Sequence, residues 1–494
     1  MKKTKSAAVL GLSLACGMAA FAGQPASAAA LQTSPDPAGT FATLSTTGPI
    51  DPGNAFFQSL GTNGRTCGTC HVPGNAFGLS AANAAARFSQ TRGQDPLFAP
   101  VDGANCPTAQ RGDAAAHSLI IGNGLIRIAL PVPANDEFTN SVVHDPYGCA
   151  LTLDPGTGQL MVSVYRRPLP ATNLGFLSAV MIDGRETIAP LNDSSTFSAN
   201  LVTDLTQQAL DATTGHAQAA QPPTAQQLAQ MVGFELGLFS AQSRDWIAGS
   251  LSNAGAQGGP TPLSNQPYYP GINDSLGGDP TGAAFDPAAM TVFTAWSNLP
   301  VAGTPLGAIR NAARQAIAAG EQIFDSAPLM ITDVRGLNDN PALGSPTTII
   351  GHCTTCHDAP NVGDHSVSLP IDIGTSHAPI AGLESDPNIA AALAALSVPD
   401  LPVYLISGCP DPSNPGQLAT LYTSDPGRAL ITGKCSDVGR IKGLILRGLA
   451  ARAPYFHNGA AATLPQVVSF YNKRFQMGLT AVQQLELAAF LASL

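Results

Sequence analysis

The sequence has few charged residues, few aromatic residues and, beyond its first thirty positions, no long apolar run. Charged side chains make up 11% and aromatic side chains 6% of the 494 residues. The 23 Lys and Arg are outnumbered by 33 Asp and Glu, which gives a formal net charge of −10. This acidity argues against nucleic acid and anionic membrane as partners. Because no later stretch has eighteen uninterrupted apolar residues, we expect no membrane span.

The N-terminus has the composition of an export signal. Lys2, Lys3 and Lys5 precede an apolar stretch over residues 7–22, and the small residues Ala26-Ser27-Ala28 follow it. This order of a basic region, an apolar region and a small-residue site predicts a secretory signal peptide over residues 1–28, cleaved near Ala28. We therefore expect a periplasmic protein. Removal of three lysines makes the mature chain more acidic still.

Two pentads of the same pattern occur far apart, CGTCH at 67–71 and CTTCH at 353–357. Two cysteines separated by two residues and followed by histidine are the attachment motif of a c-type haem. The thiols of Cys67, Cys70, Cys353 and Cys356 are predicted to bond to haem vinyl groups, and His71 and His357 to be the proximal iron ligands. We thus expect two covalently bound haem c groups. The alternative is zinc, which needs a fourth ligand, and no other Cys or His flanks the first pentad.

Four further cysteines remain in the mature chain, namely Cys106, Cys149, Cys409 and Cys435. An even number in an exported protein suggests two disulfides. Proximity in sequence favours Cys106–Cys149 and Cys409–Cys435, although four cysteines allow three connectivities. Buried free thiols are the other possibility.

Helical patterns outnumber strand patterns along the chain. Thr224 opens a capping-box sequence ahead of helically spaced apolar residues, residues 308–324 are rich in helix-forming residues, and Thr480 can cap a C-terminal helix. The best strand candidate is residues 159–164. A segment rich in Gly, Pro, Asn and Ser predicts a linker over 251–287, between an N-terminal domain (29–250) and a C-terminal domain (288–494). We expect a mainly α protein with long loops.

Segments in both halves resemble one known family. Residues 165–174 and 181–186, which include Asp183-Gly184-Arg185, are similar to the segment after the first haem of bacterial di-haem cytochrome c peroxidases and MauG-like proteins. Residues 446–459, ending in Pro-Tyr-Phe-His-Asn-Gly, resemble the segment after their second haem. The resemblance implies two cytochrome c-like haem domains. It also implies that the N-terminal haem is the peroxide site and that the C-terminal haem transfers electrons.

The resemblance also suggests residues for the distal sides of the two haems. No histidine lies between His71 and His117, which favours an open first haem, as in the MauG-like branch. Gln208 and His216 match the places of the family's proton-moving pair, with Gln218 an alternative to His216. Tyr471 stands where the family has the second ligand of the C-terminal haem; a packed aromatic role and Met477 as ligand are the alternatives.

Two positions depart from the family pattern. Ile182 replaces a tryptophan that lies between the haems in the family. Arg167 stands where the family has a calcium-ligating asparagine, and because its charge would repel the ion, we expect no calcium there.

Together these features predict an exported di-haem oxidoreductase whose substrate is hydrogen peroxide. Its expected partner is a small redox protein, a cytochrome or a cupredoxin. Two other functions stay open: an electron-relay cytochrome without peroxide activity, and a di-haem oxygenase.

Overall fold

The structure is a computed structural model and describes residues 28–154, 156–188, 196–378, 386–411 and 416–494. The predicted signal peptide lies outside the described residues except for Ala28. In the described part of the chain no helix combines the length and apolarity that a membrane crossing needs.

The fold mixes helices with antiparallel sheets, so the prediction of a mainly α protein made of two cytochrome c-like domains is wrong. The helices are α1 (Ala81–Thr91), α2 (Ser118–Asn123), α3 (Phe197–Gly215), α4 (Ala225–Leu236), α5 (Pro260–Ser264), α6 (Pro305–Ser326), α7 (Pro387–Leu393), α8 (Ala429–Thr432), α9 (Leu464–Arg474) and α10 (Ala481–Ala492). The strands are β1 (Ala30–Pro35), β2 (Gly39–Ser45), β3 (Ile126–Pro131), β4 (Thr139–His144), β5 (Leu151–Leu153), β6 (Leu160–Arg166), β7 (Leu238–Asp245), β8 (Gly249–Ser250), β9 (Leu329–Ile331), β10 (Ile349–Gly351), β11 (Val403–Pro410) and β12 (Leu418–Thr423).

The sheets join segments that are far apart in sequence. Their strand orders are β1-β2-β7-β8, β3-β6-β5, β12-β11-β4 and β10-β9, and every pairing is antiparallel. Strand β2 is mostly buried on both faces, whereas β4 is mostly exposed on both. Neither strand therefore alternates apolar and polar residues, which is the pattern that reveals a half-buried strand in a sequence. The one predicted strand, 159–164, corresponds to β6.

The three predicted helices are confirmed as α4, α6 and α10. The Thr224 hydroxyl accepts from the Gln227 N–H at 3.2 Å and the Gln227 side chain accepts from the Thr224 N–H at 2.8 Å, which completes the capping box. Helices α6 and α10 approach closely because position 320 is glycine: a Cβ there would lie 2.1 Å from the Glu486 carbonyl oxygen.

Apolar cores connect the two halves of the chain rather than separating them. One large core gathers α6, α9 and α10 and also includes Ala248 and Leu251. A second surrounds Phe56, Phe77 and Phe234, and includes Ile445 from the C-terminal half. The predicted domain boundaries stay a prediction. The 251–287 segment itself contacts the second pentad, because the Ser275 hydroxyl donates to the Thr355 carbonyl at 2.7 Å.

A buried ion triad links β6 to two loops. The Arg166 guanidinium, 1% exposed, lies 2.5 Å from an Asp183 carboxylate oxygen and 2.6 Å from one of Asp425. Burial alone would raise the pKa of Asp183, but Arg166 and Arg185 outweigh it and lower this pKa to about 2. The triad therefore stays ionised over the whole neutral range.

Candidate functional site

The first pentad forms a 3₁₀ turn, and three of its reactive side chains line one cavity. The Thr66 N–H donates to the Thr69 hydroxyl at 2.9 Å, and the His71 N–H donates to the Cys67 carbonyl at 2.9 Å. Cys67, Cys70 and His71 line a cavity of about 190 Å³.

The second pentad repeats this geometry. The His352 N–H donates to the Thr355 hydroxyl at 2.8 Å, and the His357 N–H donates to the Cys353 carbonyl at 3.0 Å. Cys353, Cys356 and His357 line a second cavity, of about 220 Å³. The sequence repeat is therefore a structural repeat, with one cavity for each pentad.

Both pentad histidines are held in the same tautomer. Nδ1 of His71 lies 3.2 Å from the Phe77 carbonyl oxygen and Nδ1 of His357 lies 3.1 Å from that of Gly363. Because a carbonyl can only accept, Nδ1 carries the proton and Nε2 keeps its lone pair. Burial lowers the pKa of both imidazoles to about 4, so both are neutral at pH 7. A neutral imidazole that donates its other N–H to a backbone carbonyl is the usual state of a histidine metal ligand.

The pentad thiols are unpaired, while the other four described cysteines form disulfides. Cys106–Cys149 and Cys409–Cys435 are bonded, as their proximity in sequence predicted. Burial raises the pKa of Cys67, Cys353 and Cys356 to about 12. The pentad cysteines are therefore neutral thiols, free for thioether formation.

Gln208 and His216, the two predicted catalytic residues, both line the first cavity. Gln208 lies within α3, and His216 follows the last residue of that helix. Nδ1 of His216 bonds to the carboxylate of Asp102, which also pairs with the Arg65 guanidinium. Burial acts to raise the pKa of Asp102, yet Arg65 and His216 lower it below its ordinary value. An ionised Asp102 can only accept from Nδ1, so in the neutral imidazole of His216 the proton lies on Nδ1 and Nε2 is the acceptor.

The polar residues of this cavity that sequence reasoning missed include Arg65, Asp102 and Glu235. Glu235 is 7% exposed, and its Oε2 has no hydrogen-bond partner among the described residues. Burial raises its pKa to about 8, so its carboxyl is mostly protonated at pH 7. No motif marks these residues. The only sequence signal is that Arg65 lies two positions before the first pentad in a chain with little charge.

Tyr471 and His457 line the second cavity together with His357. Tyr471 projects from α9, and burial raises its pKa above the ordinary value. Met477, the alternative ligand, packs in the core formed by α6, α9 and α10 but is not among the residues that line the cavity. His457 is 2% exposed; neither ring nitrogen has a hydrogen-bond partner among the described residues, and burial lowers its pKa to about 4.

These donor sets fit a c-type haem in each cavity. Each has two neutral thiols side by side and one neutral imidazole, inside a lining that is mainly apolar. Each imidazole also packs beside a phenylalanine, with 6.3 Å between the ring centroids of His71 and Phe56 and 6.1 Å between those of His357 and Phe324. Within the described ranges, no three His, Cys, Asp or Glu side chains gather as a metal-binding cluster of their own.

Arg167 lies where the two cavities meet and lines both. Its guanidinium donates to the carbonyls of Asn123, at 2.9 Å, and Arg452, at 2.6 Å, and also to that of Leu79. These three carbonyl oxygens, which could otherwise bind a metal cation, thus accept hydrogen bonds from a guanidinium.

Part of the chain is similar to curated cytochrome-c peroxidases. It is 30% identical over 151 residues to "Cytochrome-c peroxidase IdrP2" of Denitromonas iodatirespirans, which covers 29% of this chain and 36% of the relative. It is 27% identical over 201 residues to the protein of the same name from Pseudomonas sp. (strain SCT), and this match covers 35% of this chain and 49% of the relative. The chain thus spans a third to a half of the length of these relatives. No family model and no solved structure matches it. Cytochrome-c peroxidases are therefore distant relatives of this chain, and the similarity supports an oxidoreductase in general terms.

Proposed function

We propose that this protein is an exported di-haem c-type oxidoreductase that reduces hydrogen peroxide with electrons from a small redox protein. The observation that carries the proposal is the duplicated geometry. Each of two cavities combines an unpaired CxxC thiol pair with a neutral histidine whose Nδ1–H bonds to a carbonyl six residues later. The distant similarity to cytochrome-c peroxidases favours peroxide as the substrate.

In the first cavity, we assign the acid–base work to His216. Haem bound through Cys67, Cys70 and His71 would supply an iron that binds and reduces peroxide. With Asp102 holding its Nδ1–H, His216 can take a proton at Nε2 from one substrate oxygen and return it to the other. The amide of Gln208 can donate a hydrogen bond to the same substrate. The 38% exposure of the His216 side chain provides contact with solvent for proton exchange.

In the second cavity, we assign iron binding to His357 and Tyr471, beside Cys353 and Cys356. Burial opposes ionisation of the Tyr471 hydroxyl, so it would lose its proton only when a cation lies next to it. A phenolate ligand stabilises ferric iron. The second haem would then have a low potential and would give up an electron readily to the first.

The direct test is steady-state peroxide consumption by the purified holoprotein with a reduced small c-type cytochrome or a reduced cupredoxin as electron donor. We expect donor oxidation that depends on both the enzyme and peroxide. An electron-relay cytochrome would give none, and neither peroxide nor carbon monoxide would change its haem spectrum in either redox state. Uptake of O₂ with an organic substrate, and no peroxide turnover, would indicate the oxygenase alternative.

Two further parts of the proposal have separate tests. We propose export to the periplasm, so the N-terminal sequence of the mature protein should begin near residue 29.

We also propose that no calcium is needed, because Arg167 bonds to the carbonyls at that position. Calcium chelation should therefore leave peroxide turnover unchanged, and a loss that added calcium reverses would contradict this.

A further inference from the structure

Three cationic side chains line both cavities: Arg167, Lys442 and Arg452. Arg167 directly follows strand β6, and the other two lie between α8 and α9. Lysine is rarely buried in proteins unless it is paired. Lys442 is nevertheless only 7% exposed, whereas Lys434 lies on the surface. These three residues, called here the wall between the cavities, thus concentrate positive charge in an acidic protein.

Backbone carbonyls are the hydrogen-bond partners of all three cations. The Lys442 ammonium donates to the Ala179 carbonyl at 2.5 Å, and the Arg452 guanidinium donates to the carbonyls of Arg447 at 2.6 Å and Gly448 at 3.1 Å. Arg167 likewise bonds to carbonyls alone. Over the described residues, no carboxylate oxygen lies within 4.0 Å of any of these three cationic groups.

The neighbouring Arg166 shows what this chain does when it neutralises a buried cation. Arg166 has two carboxylates, Asp183 and Asp425, within 2.6 Å. The carboxylate that interacts most with Lys442 is Asp364, but burial raises the pKa of Asp364 and lowers that of Lys442, so that burial disfavours the charged form of both groups. The wall therefore lacks matched negative charge.

Buried charge without a counter-charge is costly, and burial lowers the pKa of Arg167 to about 9 and that of Arg452 to about 10. An anion placed against the wall would offset that cost. Guanidinium groups suit carboxylates because they offer paired N–H donors in one plane. Haem carries carboxylate groups on its propionate arms, so the proposed occupants of the two cavities bring the missing anions.

We propose that Arg167, Lys442 and Arg452 form one carboxylate-binding wall that receives propionate groups of both haems. The proposal rests on the proposed function, since it requires a haem in each cavity. Positive charge beside a haem favours its reduced state, which carries one positive charge fewer than the oxidised state. Because the wall faces both cavities, its charge raises the reduction potentials of both haems together.

The test is a potentiometric titration of the holoprotein, followed by its visible spectrum, after haem content has been measured. The variant Lys442→Met removes one charge from the wall, and Lys434→Met removes one from the exposed surface as a matched control. We expect Lys442→Met to lower both midpoint potentials, Lys442→Arg to restore both, and Lys434→Met to shift neither. A shift of only one midpoint, or of neither, would overturn the shared wall.

A second pair of variants covers the case in which Lys442→Met does not fold. Arg452→Met should lower both midpoints, and Arg452→Lys should restore them at least in part. Unchanged midpoints in Arg452→Met would refute the proposal. Failure of the shared wall can be told apart from failure of the proposed function. The latter would already appear in the haem content, as fewer than two haems per wild-type chain.

Discussion

The substitution Asp102→Asn is the sharpest probe of the first cavity. The Asp102 carboxylate, 3% exposed, bonds to the His216 imidazole and the Arg65 guanidinium. A hydrogen bond to a charged group contributes about 1.5–3 kcal/mol. If that contribution holds the His216 proton on Nδ1 during turnover, its loss should reduce kcat for peroxide by roughly 10- to 150-fold. The substitution keeps the size of the side chain and removes its charge.

Steady-state peroxide reduction over a range of pH measures this effect and separates positioning from folding. Asp95→Asn is the control, because Asp95 pairs with the half-buried Arg87 and does not line the cavity. Its kcat should be unchanged. His216→Gln should lower kcat by roughly 10²- to 10⁴-fold. Because Asp102 is proposed to act through His216, the double variant should be no slower than His216→Gln alone. Additive losses, or a kcat in Asp102→Asn equal to that of the wild type, would refute the assignment.

Two other predictions concern the second cavity and the stability of the fold. Tyr471→Phe should change the absorption spectrum of one haem only and Met477→Leu should leave both unchanged; an unaltered spectrum in Tyr471→Phe would eliminate that ligand. Arg166→Met leaves two buried carboxylates unpaired and should lower the free energy of unfolding, measured with urea and circular dichroism, by about 3–5 kcal/mol. The control Arg87→Met breaks an ion pair whose guanidinium is 20% exposed and should cost less, about 1 kcal/mol. Because the folded-state pKa of Asp183 is lowered to about 2, its stabilising effect is complete above its unfolded pKa of 3.8 and is lost as the pH falls toward 2. The wild type should therefore lose stability over that interval, and Arg166→Met should lose less; equal acid losses in both proteins would contradict this.

The sequence predicted the features that short segments encode. The capping residues Thr224 and Thr480 fix where α4 and α10 begin, because a cap needs only its own first turn. The pairing of Cys409 with Cys435 followed from their proximity. The pentads predicted two equivalent local geometries, and the structure contains both.

The remaining features depend on contacts between distant segments. Strand β2 pairs with β7 about 200 positions later, and β4 with β11 more than 250 positions later, so neither sheet leaves a local pattern. Asp102 contacts His216, which lies 114 positions later in the chain. In the sequence alone, nothing distinguishes Asp102 from the other aspartates. The shared cationic wall arises only where segments from both halves meet.

Haem attachment is the claim on which the site, its chemistry and the cationic wall all depend. The most direct measurement is the intact mass of the denatured protein, purified from a host that matures c-type cytochromes, together with its pyridine haemochrome spectrum. The account predicts the mass of the mature chain plus two haem groups that survive denaturation, falling to one haem when Cys67 and Cys70 are both changed to Ser. A mass equal to that of the polypeptide alone, or haem that is released on denaturation, would contradict it.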